Sequence, residues 1–257
     1  YWVVPKLEDL HTEGLTSLSY FGLEVDGKGN LSKLDANNQA ISPWTILQSD
    51  QKLKDFLSSA RKKKIKVYVT LKCFSQSNIV SLTTSEEARE KFINNALFLM
   101  SSKSLDGLNI DFEYIGTPPA EVRDGFYHLI SDLNNRLKQD YPKAVLTVAT
   151  FVDAASATRL HDVAFLANNS DGLVIMGYDF HTPNSNFAGP VAPMEGASTS
   201  IKGFLSSYLE KAPAEKLILA VPYYGYDWPV SRADAGSEVT GSREDVKALP
   251  FGEIIAT

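Results

Sequence analysis

The chain has 257 residues, which fits one large domain as well as two small ones, because α/β barrels commonly reach this length as a single unit. Hydrophobic residues make up 44% and aromatic residues 11%, enough for a sizeable core, and no apolar run approaches the roughly 18 residues that a membrane helix needs. The formal net charge of -6 argues against a nucleic-acid partner, because phosphate binding requires a basic surface. The composition is that of a soluble globular protein.

Seven short runs rich in β-branched and aromatic residues are predicted to be strands, and helical patterns separate them. The strand candidates are residues 1–4, 15–25, 65–74, 105–114, 144–151, 172–180 and 217–224. The helix candidates are residues 50–63, 85–101, 119–139, 157–168 and 201–212. Strands that alternate with helices in this way are typical of a parallel α/β fold.

Acidic residues near predicted strand ends favour a (β/α)8 TIM barrel, whose active site lies at the carboxyl ends of its strands. A doubly wound sheet is the alternative, but the chain contains neither G-x-G-x-x-G nor G-x-x-x-x-G-K-[ST]. A closed barrel needs eight strands, whereas residues 231–257 are loop-like and then weakly helical. We therefore expect a single catalytic domain over residues 1–257 that lacks its eighth strand and is incomplete at its C-terminus.

The stretch 105–114, LDGLNIDFEY, carries the strongest functional signal in the chain. Asn109, Asp111 and Glu113 occupy alternate positions and therefore share one face of the predicted strand, while the apolar residues between them share the other face. Burying an unpaired carboxylate costs several kcal/mol, and the stretch contains no Lys or Arg. The pattern favours an active site over the alternative, an antiparallel strand with one solvated face.

Cleavage of a glycosidic bond needs an acid to protonate the leaving oxygen and a negative or nucleophilic group to meet the positive charge that develops at the sugar. Glu113, at the carboxyl end of the predicted strand, is the candidate acid. Asp111 is too close and too parallel to be the opposed nucleophile of an ordinary retaining pair. We expect it instead to raise the pKa of Glu113 by like charge and to orient another group.

The same stretch resembles the fourth-strand motif D-G-x-D-x-D-x-E of glycoside hydrolase family 18, which reads here from Asp106 to Glu113. Residues 176–179, Met-Gly-Tyr-Asp, are similar to the family's sixth-strand M-x-Y-D, and residues 221–225 are similar to its seventh-strand segment. With residues 189–193 and 224–228, the pattern is most similar to the bacterial spore-cortex and peptidoglycan-associated branch of that family.

The resemblance implies a substrate-assisted retaining mechanism, in which the substrate's own 2-acetamido oxygen attacks the anomeric carbon. Glu113 is then the acid and afterwards the base for water, Asp111 holds the acetamido N–H, and Tyr178 hydrogen-bonds the acetamido oxygen. Asp179 binds the sugar beside the cleaved bond. The other residues assigned to substrate binding are Asn109, Tyr224 and Trp228. For the aromatic residues after the seventh strand, ordinary loop packing is an open alternative to sugar stacking.

Two features depart from the family pattern. The middle aspartate of the motif is Asn109 here, and an amide hydrogen-bonds but carries no charge. We hypothesise that Asp111 consequently feels less like-charge repulsion and stays ionised to lower pH than it would beside an aspartate. The second departure is the expected absence of the eighth strand, where the family usually places a tryptophan under the reacting sugar.

Three functions remain open at this point. The first is a hydrolase of β-1,4-linked N-acetylglucosamine in peptidoglycan, cortex fragments or chitin. The second is a catalytically weak or inactive carbohydrate-binding protein on the same barrel, suggested by Asn109 and the short C-terminus. The third is an unrelated barrel enzyme that uses a carboxylate cluster for Mg2+.

Beyond the sugar, few partners are predicted. The four histidines show no ligand spacing and there is one cysteine, so we expect no metal ion, and the sequence predicts no cofactor. The expected partner is a polysaccharide containing N-acetylglucosamine, with no nucleic acid and no membrane span, and the oligomeric state is unknown. The expected location is outside the cell or in the cell envelope, although the N-terminus shows no signal peptide.

Overall fold

The computed structural model describes residues 4–33, 42–196 and 199–254. The chain divides into two compact units: Tyr1–Ala149 with Thr158–Leu173, and Thr150–Ala157 with Val174–Thr257.

Parallel strands alternate with helices through the first unit. The strands are β1 (Ser17–Glu24), β2 (Lys66–Cys73), β3 (Gly107–Phe112) and the first part of β4 (Val145–Phe151), and β5 (Gly172–Met176) also begins in this unit. The helices are α1 (Pro43–Ser49), α2 (Gln51–Lys62), α3 (Gln76–Thr84), α4 (Glu86–Lys103), α5 (Ala120–Asp140) and α6 (Val163–Asn169), with a 3-10 helix at Val4–Asp9. Each of the pairs β1–β2, β2–β3 and β3–β4 is parallel, as predicted for an α/β fold.

One face of β3 packs against helices, which explains its apolar residues. Leu108, Ile110 and Phe112 are fully buried. The ring of Phe112 lies 5.8 Å from Phe92 of α4 and 5.9 Å from Phe126 of α5, centroid to centroid. The other face of the strand is thereby left for the polar residues.

Side-chain caps fix several helix starts at positions that the sequence signals. Asp50 caps α2, Ser85 caps α4 and Asp162 caps α6, each accepting a hydrogen bond from a backbone N–H of the first turn. Glu86 and Glu87 add negative charge at the positive end of α4. These caps account for the close agreement between predicted and observed starts for α2 and α4.

The second unit holds shorter elements. They are the end of β4, the end of β5, α7 (Ile201–Leu209), β6 (Leu217–Ala220), β7 (Tyr224–Asp227), β8 (Lys247–Pro250) and α8 (Phe251–Ile254), with 3-10 turns at Ala214–Lys216 and Arg243–Asp245. The strands β7 and β8 pair with each other and are antiparallel. The buried hydroxyl of Tyr208 donates to the carbonyl oxygen of Phe151 (2.6 Å) and is hydrogen-bonded to the hydroxyl of Thr150 (2.8 Å), which ties α7 to the end of β4.

Several predicted elements differ from those observed. Of the predicted strand 1–4, Val4 lies in a 3-10 helix and the rest lies outside the described residues. The predicted strand 217–224 is two strands, because residues 221–223 interrupt the ladder after β6. Within 231–257, Lys247–Pro250 forms a strand that the composition did not indicate.

Helix predictions also need correction. Helix α6 begins at Val163, not near 157, because residues 152–156 form turns and Asp162 provides the cap. Helices α1 and α3 were not predicted, although the serines at positions 42 and 75 cap them. Both helices are short, and polar residues interrupt the apolar repeat that would have indicated a helix. In the described part of the chain, no helix is both long and apolar enough to cross a membrane.

Candidate active site

A hydrogen-bonded row of polar side chains crosses four parallel strands on the face opposite the helices. Ser19 of β1 lies 2.9 Å from Thr70 of β2, hydroxyl to hydroxyl. Asn109 of β3 donates from Nδ2 to Thr70 Oγ1 (3.3 Å) and accepts from Thr147 Oγ1 of β4 (2.8 Å). The amide of Asn109 thus bridges two neighbouring strands and satisfies both of its polar ends, which a carboxylate could do only as an acceptor.

Asp111 lies one step nearer the carboxyl end of β3 on the same face. Asp111 is only 5% exposed, and its Oδ1 accepts no hydrogen bond from any described residue. Burial, followed by the nearby charge of Glu113, raises the pKa of the Asp111 carboxyl to about 7, while the charge of Lys72 acts in the opposite direction. A buried carboxyl oxygen that has no hydrogen-bond donor among the described residues is costly for stability, which makes Asp111 a candidate functional residue.

Glu113 directly follows β3. Its backbone N–H donates to the carbonyl oxygen of Cys73 (3.0 Å), so the β2–β3 ladder extends to this residue and fixes its backbone. The side chain is half-buried, on the same face as Asn109 and Asp111 by alternation. The first unit therefore brings together the three residues that the sequence predicted to share a face.

Asp106, the first residue of the motif, has a structural role. Its Oδ2 accepts a hydrogen bond from the backbone N–H of Val67 (2.8 Å), which fastens the start of β3 to β2. Asp171 repeats this arrangement before β5, where its carboxylate accepts from the backbone N–H of Leu146 and from Lys138, both at 2.7 Å. Both carboxylates stabilise strand pairing, and neither is a candidate catalyst.

In the second unit, Asp179 is the centre of a polar and aromatic cluster. The hydroxyl of Tyr224 donates to Asp179 Oδ1 at 2.5 Å, and the hydroxyl of Tyr226 approaches the same oxygen at 3.4 Å. Burial, then the hydrogen bond and charge of Asp179, raise the pKa of Tyr224 strongly. Asp179 itself is exposed, with a left-handed φ of 59° that aspartate tolerates better than most residues.

The aromatic residues of β7 and the position after it form a ladder. Tyr224 and Tyr226 have ring centroids 5.8 Å apart, and Tyr226 and Trp228 have centroids 5.6 Å apart, both with steeply inclined rings. Tyr226 and Trp228 also line a cavity of about 530 Å3 together with Pro190. The rings pack on one another, which agrees with the predicted packing role, and Tyr226 and Trp228 are half-buried where they line the cavity. The predicted role in sugar stacking stays a prediction.

Tyr178 follows β5, and its side chain is half-buried. Its residue neighbour Gly177 donates from its backbone N–H to the carbonyl oxygen of Ala220 (3.1 Å), which fixes the local backbone. A side chain at Gly177 would lie 2.6 Å from Leu219, so the small residue in M-G-Y-D is required by packing. The role predicted for Tyr178 stays a prediction, and so do the substrate-binding roles of Asn109, Asp179, Tyr224 and Trp228.

Two kinds of side chain near Asn109 and Asp111 were not predicted from the sequence. The first is the hydroxyl partners of Asn109, and the second is the charged pair formed by Lys72 and Glu24, which are 2.7 Å apart. The signal was present in β2, where KVYVTLKC alternates polar and apolar residues as strictly as β3 does. Among the described residues there is no group of three histidine, cysteine or acidic side chains arranged to hold a metal ion.

Comparisons with known proteins agree with the motif. The family model "Glycosyl hydrolases family 18" matches residues 1–249. The putative sporulation-specific glycosylase YdhD of Bacillus subtilis is 31% identical over 181 residues, covering 69% of this chain and 41% of that protein. Mouse chitotriosidase-1 is 24% identical over 220 residues, covering 77% of this chain and 47% of that protein. The chain thus spans less than half the length of either relative.

Solved structures show the same fold. A family 18 chitinase mutant from Cycas revoluta, in complex with (GlcNAc)4, superposes with a TM-score of 0.81 at 22% identity, covering 99% of this chain and 77% of that one. The structure of YdhD superposes with a TM-score of 0.71 at 23% identity, covering 97% of this chain and 74% of that one. These neighbours confirm the predicted fold class, that of a TIM barrel.

Proposed function

The chain belongs to glycosyl hydrolases family 18, and on that premise we propose that it cleaves β-1,4-linked N-acetylglucosamine polymers with retention of configuration, using the substrate's own acetamido group as nucleophile. The observation that carries the proposal is the buried, unsatisfied Oδ1 of Asp111 beside Glu113 at the carboxyl end of β3. An acceptor that receives no hydrogen bond from the described part of the chain suits a donor on a ligand, such as an acetamido N–H.

In the first step, Glu113 donates its proton to the glycosidic oxygen while the acetamido carbonyl oxygen attacks the anomeric carbon. The bond to the leaving sugar breaks and a cyclic oxazolinium ion forms. Asp111 accepts the acetamido N–H and, when ionised, stabilises the positive charge of that ion. Tyr178 donates its hydroxyl hydrogen to the acetamido oxygen and so orients it for attack.

In the second step, the Glu113 carboxylate takes a proton from a water molecule, and the water oxygen attacks the anomeric carbon. The oxazolinium C–O bond breaks, the acetamido group is restored, and Glu113 is again protonated. Two inversions at one carbon give net retention without a covalent enzyme intermediate. This scheme explains why one acid, and no opposed second carboxylate, is enough.

Substrate binding falls to the remaining predicted residues. Asp179, Tyr224 and Trp228 would contact the sugar, with Trp228 offering a ring face for stacking. Asn109 would act beneath Asp111 through its hydrogen bonds to Thr70 and Thr147. The likeness to a sporulation-specific glycosylase favours a bacterial cell-wall polymer over chitin, and hence a location in the cell envelope or outside the cell.

The first experiment measures reducing-end release from a soluble N-acetylglucosamine oligomer by the chain and by Glu113→Gln. We expect the variant to lose at least about 1,000-fold in kcat/KM, since proton transfer to the leaving group is removed. Glu121→Gln, an exposed carboxylate in the first turn of α5, is the matched control and should retain activity. Equal activity of Glu113→Gln and the parent chain would contradict the proposal.

A second measurement tests the participation of the acetamido group. An oligomer whose acetamido groups are replaced by free amines should not be cleaved, and proton NMR of fresh product should show the β-anomer first. Initial release of the α-anomer, or cleavage of the amine polymer at a similar rate, would refute substrate assistance while leaving glycosidase activity intact.

A further inference from the structure

A row of charged side chains crosses the carboxyl ends of the first three parallel strands. Lys72 of β2 is the register partner of Glu24 on one side and of Asp111 on the other. Register partners in a parallel sheet project to the same face, and adjacent strands lie about 4.8 Å apart. Lys72 therefore shares the face of the candidate catalytic residues and is the neighbour of Asp111.

A bulge in β1 places Glu24 on this face. Tyr20 pairs with Val69, and Leu23 pairs with Leu71. Two residues of β1 therefore lie opposite the single residue of β2 between these pairs. One extra residue reverses the alternation of side chains beyond that point. Glu24 consequently points to the same side as Ser19, although the two are an odd number of residues apart.

The side chain of Lys72 is held in place from three directions. Its Nζ lies 2.7 Å from Glu24 Oε2 and 4.5 Å from the centroid of the Phe74 ring. A side chain at Gly22 would come within 3.3 Å of Lys72 Cδ, so the lysine stem packs closely over the glycine. The Lys72 side chain is 18% exposed, unlike Lys66, which is exposed at the other end of the same strand.

From this geometry we infer that Lys72, anchored by Glu24, is a positioning residue that sets the charge of Asp111. The charged groups that act on Asp111 are Glu113 at the end of its own strand and Lys72 on the neighbouring strand. On the other side, β4 contributes the uncharged Thr147 and Ala149 to the same face. Lys72 is the cation in this set, and it opposes burial and Glu113, which both favour the protonated acid.

Glu24 limits the effect of Lys72. Its carboxylate holds the ammonium group and also offsets part of the positive charge that Asp111 experiences. Removal of Lys72 and removal of the charge on Glu24 should therefore shift the pKa of Asp111 in opposite directions. A purely structural pair would instead produce similar losses of stability and no opposed shifts.

The inference rests on the proposed function for its catalytic consequence, whereas the coupling between charges can be measured without turnover. The test uses Lys72→Met and Glu24→Gln in the full chain, with side-chain carboxyl carbon NMR titration of Asp111, its signal assigned by its loss in Asp111→Asn. We expect the pKa of Asp111 to rise by about one pH unit in Lys72→Met and to fall by several tenths in Glu24→Gln. Lys66→Met, on the same strand and face, should leave it unchanged.

The acid limb of kcat/KM should move with the NMR values in both variants. If wild-type turnover is absent while the opposed NMR shifts occur, the proposed function fails and the coupling stands. Normal turnover combined with shifts below about 0.2 units, or with shifts of the same sign in both variants, overturns the inference. If Lys72→Met does not fold, Glu24→Gln decides alone, because an unchanged or raised pKa in that variant contradicts the inference.

Discussion

Two aspartates, one in each compact unit, show opposite ways of using a carboxylate. Asp111 is 5% exposed and its Oδ1 has no hydrogen-bond donor among the described residues. Asp179 is exposed, and the hydroxyls of Tyr224 and Tyr226 lie 2.5 and 3.4 Å from one of its oxygens. The surroundings of Asp111 change the pKa of its carboxyl group, whereas the carboxylate of Asp179 accepts hydrogen bonds from two tyrosine hydroxyls.

The difference indicates what each group does in the proposed reaction. Burial lets Asp111 change its protonation near neutral pH, since its pKa is raised to about 7. A group of that kind can respond to charge that develops during a reaction. Asp179, whose partners are already in place, suits the binding of a neutral sugar through fixed hydrogen bonds.

Of the two aspartates, Asp111 should give the larger effect when its carboxyl group is removed. In Asp111→Asn, we expect kcat to fall by about 100- to 1,000-fold, because the charge that stabilises the oxazolinium ion is lost. The measurement is steady-state hydrolysis of an N-acetylglucosamine oligomer. A loss of less than threefold would mean that Asp111 is not part of the reaction.

The same variant should become less sensitive to pH in its stability. The folded-state pKa of Asp111 is raised, so between about pH 4 and pH 7 the folded chain binds more protons than the unfolded chain, and stability falls as pH rises. Asp111→Asn removes this loss, which amounts to roughly 2 to 4 kcal/mol across that window. Urea unfolding at pH 4 and pH 7.5 measures it, and an unchanged pH dependence would contradict the raised pKa.

Removing the hydroxyl of Tyr178, just after β5, should have the next largest effect on kcat. Tyr178→Phe keeps the ring and removes one donor to the acetamido oxygen, so we expect kcat to fall about 100-fold. Stability, measured by thermal unfolding, should change little by comparison. A change confined to KM would assign Tyr178 to binding and not to orientation of the nucleophile.

The hydrogen-bonded carboxylate should give a smaller effect of a different kind. Asp179→Asn retains an acceptor and tolerates the left-handed φ, but it removes the charge that raises the pKa of Tyr224. The pKa of Tyr224 should therefore fall toward its ordinary value, as followed by ultraviolet absorbance of tyrosinate. We expect KM to rise about tenfold with kcat changed less. An unaltered Tyr224 titration would show that burial alone raises its pKa.

The smallest effect is expected from changing Asn109, whose amide lies one step before Asp111 on the same face of β3. In Asn109→Asp, a second carboxylate would raise the pKa of Asp111 further, so the acid limb of kcat/KM should move up by about half a pH unit or more. Burial and the charge of Glu113 already raise the pKa of Asp111 to about 7 with Asn109 in place, so the missing charge at position 109 is only one of several influences on that pKa. An acid limb that does not move would refute the hypothesis that Asn109 keeps Asp111 ionised to lower pH.

The sequence predicted strongly periodic elements well and short ones poorly. Helix α4 and strand β3 were expected within two or three residues, because capping residues and strict alternation mark them locally. Helix α1 and strand β8 were missed because each has seven residues or fewer. Within so few residues, the spacing of apolar side chains does not differ from that of the neighbouring loops. The antiparallel pairing of β7 with β8 joins residues that are between 20 and 26 positions apart, which no local pattern shows.

The sequence alone determined the family and the shared face of Asn109, Asp111 and Glu113, because alternation along a strand is a local property of the backbone. It could not show that Asp111 Oδ1 has no hydrogen-bond donor among the described residues or that the pKa of Asp111 is raised, since both depend on what neighbouring strands place around it. The pairing of Lys72 with Glu24 was equally hidden, because a single extra residue in β1 decides which face Glu24 occupies. The alternation of residues along a strand decides which side chains share a face, whereas packing between strands decides the pKa values of those side chains.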